Sequence, residues 1–100
     1  MTYLVCYDIE NDKNRKKFHD KLLAMGLERV QYSVFMGQMP KEILARIKKY
    51  GEQLLSPKEY VRDSILILRL QPSEVENMII LGDKEIDVKM ITGTRNTLFF

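Results

Sequence analysis

Hydrophobic and polar positions alternate at the start of the chain. Over residues 2–8 (TYLVCYD), Tyr3, Val5 and Tyr7 share one face and Leu4, Cys6 and Asp8 the other, which predicts a strand. The polar stretch 10–14 (ENDKN) reads as a loop in which Asn11 or Asp12 caps the next element. Phe18, Leu22 and Met25 then recur at i, i+4 and i+7 with Leu23 beside them, predicting an amphipathic helix over about 13–25. Its other face carries Arg15, Lys16, Lys17 and Lys21, and Gly26 is a natural stop. Alternation returns over 28–39 (ERVQYSVFMGQM), with Val30, Tyr32, Val34 and Met36 on one side and Gln31, Ser33 and Phe35 on the other. The pattern admits one long strand or two short strands kinked near Ser33.

Pro40 suits the first turn of a second helix, whose apolar face is Ile43, Ile47, Tyr50 and Leu54, widened by Leu44 and Leu55. Gly51 weakens that helix without ending it. Residues 63–70 (DSILILRL) predict a strand ended by Pro72. Residues 77–81 (NMIIL) predict a further short strand, and 84–91 (KEIDVKMI) another. The tail, 92–100, is polar and then aromatic.

The order β-α-β-(β)-α-β is that of a ferredoxin-like α+β sandwich, and 100 residues make one domain, 1–100. Two helices cover one sheet face and leave the other to water or a partner. An extra C-terminal strand or tail, 83–100, has no place in a four-stranded sheet. The edge of a second subunit's sheet is one home for it, so a homodimer is expected.

Charge changes the picture more than composition does. Residues 13–49 carry ten basic and three acidic side chains, net +7, whereas residues 1–12 carry three acids and no base, net −3. A basic block beside an acidic tip suits a polyanion surface next to a cation site, although helices also solvate their outer faces with Lys and Arg. No apolar run approaches the roughly 20 residues of a membrane helix, and no secretory signal is evident. The single cysteine, Cys6, cannot form an internal disulfide, which fits a reducing cytoplasm, and its place inside the first strand suggests a packed thiol.

The chain offers few catalytic groups. His19 is the one histidine, without the Cys or carboxylate cluster of a zinc site. There is no Gly-rich phosphate loop, and nothing in the spacing supports a Ser33–His19–Asp8 triad. The segment RVQYSVF has aromatics but lacks the Lys/Arg-Gly-Phe pattern of RNA-binding sheets. That leaves Asp8, Glu10 and Asp12, hard oxygen donors of the kind Mg2+ takes one or two of while keeping several waters. One protomer supplies too little. A two-fold dimer doubles every ligand if Asp8 lies near the axis.

The stretches YLVCYDIENDKNRKK, GLERVQYSVFMGQM and DSILILRL, within residues 2–82, together resemble the CRISPR-associated Cas-two family. The last 18 residues fall outside the resemblance. It implies a homodimeric ferredoxin-like protein that partners the CRISPR integrase in spacer acquisition, bridging two integrase dimers and holding DNA. It also implies a metal-dependent endonuclease acting on single-stranded RNA or double-stranded DNA in antiviral defence. On this resemblance Asp8 is the Mg2+ ligand, and Tyr7, Arg15, Lys17, Arg29 and Phe35 fall on positions linked to nuclease activity. Where some relatives have Arg, Lys17 keeps the charge but loses the bidentate fork.

The chemistry is consistent with those roles. Mg2+ between two Asp8 carboxylates would acidify a bound water and polarise a phosphate oxygen. Arg15, Lys17 and Arg29 would hold phosphates and offset developing charge. Phe35 would stack a base of a single strand, unless it is core, and Tyr7 has core packing as its competing role. The readings in play are therefore a metal-dependent endonuclease, a non-catalytic adaptor of an integration complex, and a small-molecule-sensing regulator of the same fold. The basic helix and the missing ligand motif argue against the regulator.

Overall fold

The first alternating segment forms β1 (Thr2–Asp8) in the computed structural model, which describes residues 1–56, 62–82 and 85–93. Asn11 caps α1 (Asp12–Ala24), its Oδ1 accepting the Asn14 N–H at 2.9 Å, so the cap is Asn11 rather than Asp12. The helix stops where expected: Gly26 takes φ +90°, and its N–H donates to the Leu23 carbonyl at 3.0 Å.

The 28–39 segment resolves as two strands, β2 (Glu28–Gln31) and β3 (Val34–Gln38). The break is Ser33, whose φ of +61° reverses the chain, with a register shift between Arg29 and Gln31. Next comes α2 (Lys41–Leu55), running unbroken through Gly51 with Pro40 at its N-cap. A Cβ on Gly51 would stand 2.8 Å from Ile65 Cδ1, so glycine lets α2 settle close on the sheet. β4 (Ser64–Leu70) comes after it.

The sheet order is β2-β3-β1-β4, with every neighbouring pair antiparallel, as the ferredoxin-like split βαβ arrangement requires. On one face, Val5 and Tyr7 of β1 and Phe35 of β3 pack against Phe18 and Leu22 of α1 and Ile47 of α2. Burying such side chains contributes roughly 1.5–3 kcal/mol each.

The region after β4 adds one helix and corrects the strands expected beyond it. Pro72 opens a helix as well as ending the strand: α3 (Pro72–Glu76) is held by a capping box in which Glu74 Oε1 accepts the Gln71 N–H at 2.7 Å. Residues 77–81 are not a strand, and Ile79 and Leu81 are exposed there. The expected strand over 84–91 is replaced by α4 (Val88–Thr92), capped by Asp87, whose Oδ1 accepts the Met90 N–H at 3.0 Å. The physical reason is helical spacing: Val88 and Ile91 meet on one side at i, i+3, and the Asp87 cap outweighs the β-branched composition. No extra C-terminal strand is present among the described residues; residues 83, 84 and 94–100 of that expectation lie outside them.

The second sheet face is therefore partly covered by the chain itself. Val75 and Ile91 join Val30 and Met36 in a second core, with Leu4 and Leu70 packed on it. Gln38 staples α4 to the sheet, its Nε2 donating to Thr2 Oγ1 at 2.6 Å and to the Ile91 carbonyl at 3.0 Å.

Candidate functional site

Asp8 is the last residue of β1, exposed and paired in register with Ser64 of β4. It shares a face with Leu4 and Cys6, opposite Leu68 and Leu66 of β4, which remain 51% and 56% exposed. The carboxylate thus stands on a rigid element beside the uncovered part of the sheet. The rest of the acidic tip does not converge on it. Asp12 pairs with Arg15 through Oδ1, and Glu10 is exposed. Among the described residues no group of three His, Cys, Asp or Glu side chains is placed to hold a metal. One exposed carboxylate suits Mg2+ in donor type, since that ion takes one or two carboxylates and keeps its waters, but a single protomer does not complete the ligand set.

Tyr7, one residue earlier, points to the opposite face. Its ring is buried, edge-on to Phe18 at 5.1 Å and stacked on Phe35 at 6.2 Å. Burial pushes the phenol's pKa up, while a hydrogen bond with the Ser33 side chain and the charges of Arg29 and Arg15 pull the other way. The net shift is upward, so Tyr7 stays a neutral hydroxyl.

Above Tyr7 a shallow concavity of about 110 Å³ gathers basic side chains from two elements. Arg15, Lys16 and His19 come from α1 and Arg29 from β2; Tyr32 and Ser33 of the intervening turn complete the wall. Arg15 also buttresses the β1–α1 loop, with Nη1 donating to the Ile9 and Glu10 carbonyls at 3.0 and 3.2 Å. Its hydrogen bond to Asp12 pushes its pKa up further, so it remains cationic. Lys16 Nζ donates to Asp20 Oδ2 at 2.8 Å and His19 Nδ1 lies 3.1 Å from Oδ1. The Lys16 bond, then the His19 contact, hold the Asp20 carboxyl below its usual range.

Of the residues singled out from sequence, the structure brings Tyr7, Arg15 and Arg29 together around this concavity and sets Phe35 beneath it. Lys17 is exposed on α1 but does not line it, because two residues turn a helix by about 200°. Phe35 is 0% exposed, wedged between Tyr7 and an edge-on His19 ring at 5.4 Å. The expectation that it stacks a base is corrected: neither face of its ring is open. The sequence reading did not select Lys16, His19, Tyr32 and Ser33 for this site. The helical ones had a signal, since Arg15, Lys16 and His19 fall at i, i+1 and i+4 along one edge of α1.

Residues 1–78 match the family model described as CRISPR associated protein Cas2. A relative from Methanospirillum hungatei, named CRISPR-associated endoribonuclease Cas2 1, is 42% identical over 72 residues, 68% of this chain and 66% of that protein. The chain thus spans just under two thirds of that relative's length. One from Aeropyrum pernix, named CRISPR-associated endoribonuclease Cas2, is 30% identical over 88 residues, 88% of this chain and 92% of that protein. The crystal structure of Streptococcus pyogenes Cas2 at pH 6.5 superposes with a TM-score of 0.68 at 25% identity, covering 82% of this chain and 100% of that one. With a family match over most of its length and the same fold, this chain belongs to the CRISPR-associated protein Cas2 family.

Proposed function

We propose that two copies of this chain form an endonuclease that hydrolyses phosphodiester bonds of single-stranded RNA or double-stranded DNA, with Mg2+ held by Asp8 of each copy. The supporting observation is the position of Asp8 at the end of a rigid strand, bordering exposed Leu66 and Leu68 on one side and a cationic concavity beyond Tyr7 on the other. A second sheet laid on Leu66 and Leu68 would bury them and bring two Asp8 carboxylates close. Their repulsion is what a divalent cation relieves. The relatives' printed names include endoribonuclease, which favours RNA as one substrate.

Bound there, the metal supplies Lewis acidity and an acidified water. The chain's own residues do the positioning. Arg15 and Arg29, on the Tyr7 side of the sheet, hold a neighbouring phosphate of the same strand. Tyr7, kept neutral, presents a hydroxyl to the same space, and Phe35 fixes its ring from below. Lys17, on the outer side of α1, would track the nucleic-acid backbone further along.

The adaptor reading has its own observation. Lys17 of α1 and Arg46, Lys48 and Lys49 of α2 are exposed cations outside the concavity, more positive charge than one scissile phosphate needs. We infer that the same dimer holds DNA for the CRISPR integrase during spacer acquisition, whether or not it cuts.

Cleavage of labelled single-stranded RNA and double-stranded DNA, with Mg2+ and with EDTA, tests the nuclease reading alongside Leu68→Glu. The expected result is Mg2+-dependent cleavage, lost together with the dimer in Leu68→Glu. Cleavage in EDTA, or by a monomer, would contradict it. Integration that persists in Asp8→Ala would leave the adaptor role separate from the nuclease.

A further inference from the structure

Tyr32 is an unusual residue to leave in water. Of the four described tyrosines, Tyr7 is buried, Tyr3 and Tyr50 are half-buried, and Tyr32 is 67% exposed. It is nonetheless held in place. The turn is pinned by the left-handed Ser33 and by the Tyr7 N–H donating to the Ser33 carbonyl at 3.0 Å. The Arg29 guanidinium lies over the Tyr32 ring, 5.5 Å from its centroid. With Arg29 over the ring and 67% of the residue still exposed, Tyr32 presents a held apolar surface to solvent and takes no part in the core.

Directly beside it lies the concavity shared with Arg15, Lys16 and Arg29. At about 110 Å³ it is well below the roughly 300 Å³ at which clefts begin to enclose drug-sized ligands, so it suits a phosphate and not a nucleoside. A base attached to a phosphate seated there has to lie outside the concavity, and Tyr32 is the aromatic surface at that rim.

We propose that Tyr32 is a stacking platform for one unpaired base, whose phosphate sits among Arg15, Lys16 and Arg29, giving the chain a subsite that favours single-stranded over paired nucleic acid. The proposal rests on the reading that this chain binds nucleic acid. A paired base offers Tyr32 no free face, because its neighbours in the duplex occupy both. An unpaired base offers one, and stacking on an aromatic is indifferent to which base it is. The stacking role thus moves from buried Phe35 to exposed Tyr32, three residues away across the turn.

Fluorescence anisotropy tests this on the full chain in EDTA, where cutting cannot interfere. The probes are a 5′-labelled 12-nucleotide oligouridine, the same length of abasic strand, and a labelled 12-base-pair duplex. Tyr32→Leu is expected to weaken oligouridine binding by roughly 5- to 150-fold, while Tyr32→Phe binds as wild type. Tyr32→Phe should leave binding of the abasic strand and the duplex unchanged, Tyr32→Leu should weaken them far less than oligouridine because only the Arg29 contact is lost, and wild type should prefer oligouridine to the abasic strand. Equal oligouridine binding by Tyr32→Leu and wild type would overturn the proposal, as would a duplex loss matching the single-strand loss. If wild type binds none of the three probes, the nucleic-acid reading itself fails, and the stacking proposal with it. The abasic comparison uses wild-type protein alone, so it stands even if Tyr32→Leu misfolds.

Discussion

The Tyr7 backbone N–H donates to the Ser33 carbonyl at 3.0 Å, tying the end of β1 to the β2–β3 turn. Asp8 and Tyr32 are the chain neighbours of these two residues. This hydrogen bond extends the β1–β3 pairing into the turn and so helps set the spacing between the carboxylate strand and the exposed ring, which Arg29 links to the cationic concavity.

The turn depends on backbone conformation more than on the serine side chain. At φ +61°, Ser33→Gly relieves a left-handed cost of about 1–2 kcal/mol and gives up one hydrogen bond worth about 1 kcal/mol. It should melt within a few degrees of wild type. Ser33→Val, β-branched at the same φ, should lose about 1–3 kcal/mol in urea denaturation.

Gly51 tests the packing of α2 on the sheet. Alanine there brings a Cβ to 2.8 Å from the movable Cδ1 of Ile65, so helix propensity and crowding oppose each other. In an Ile65→Val background the clash is gone. Gly51→Ala should then raise stability by up to about 1 kcal/mol, whereas Gly51→Leu should lower it by about 1–3 kcal/mol in either background.

The raised pKa of Tyr7 makes stability pH-dependent at the alkaline end. The folded state holds the phenolic proton more tightly than the unfolded chain, whose tyrosine titrates near 10.0. The contribution is complete below that pH and is lost as pH rises toward the folded value. Denaturation midpoints measured from pH 8 to 11 should fall for wild type, and the fall should be shallower in Tyr7→Phe.

Nucleic-acid binding should be chiefly electrostatic, with log K falling about linearly in log[salt]. Lys17→Gln, on the outer face of α1, should lower the slope by about 0.7–0.9 without changing the preference for unpaired over abasic strand. Arg29→Gln should lower the slope similarly and also weaken that preference, because Arg29 braces the Tyr32 ring. Salt titrations of the two variants with both probes check this.

The sheet and its two large helices were legible because each has one apolar period. Val5 and Tyr7 alternate, and Phe18 and Leu22 repeat at helical spacing, so both point to the same core. The break at Ser33 was not, because alternation runs across it unchanged and only the backbone φ reveals the turn. Residues 77–91 misled because Ile- and Val-containing runs resemble strands when their partners are unknown, and the Asp87 cap decided otherwise. Phe35 and Tyr32 were hard to rank for the same kind of reason. Both sheet faces carry apolar side chains, so parity alone does not say which aromatic meets water. Asp8 was visible because a carboxylate ending an apolar strand is conspicuous in any register.

The central claim is that Asp8 serves as a metal ligand and is more than a strand end. Its most direct test is the cleavage rate of purified Asp8→Asn in Mg2+, measured beside wild type, with the dimer verified by sedimentation and melting recorded in EDTA. The account predicts no Mg2+-dependent cleavage, an intact dimer, and a melting temperature in EDTA equal to wild type or higher, since one pair of facing carboxylates is gone. Cleavage by Asp8→Asn at the wild-type rate would contradict it.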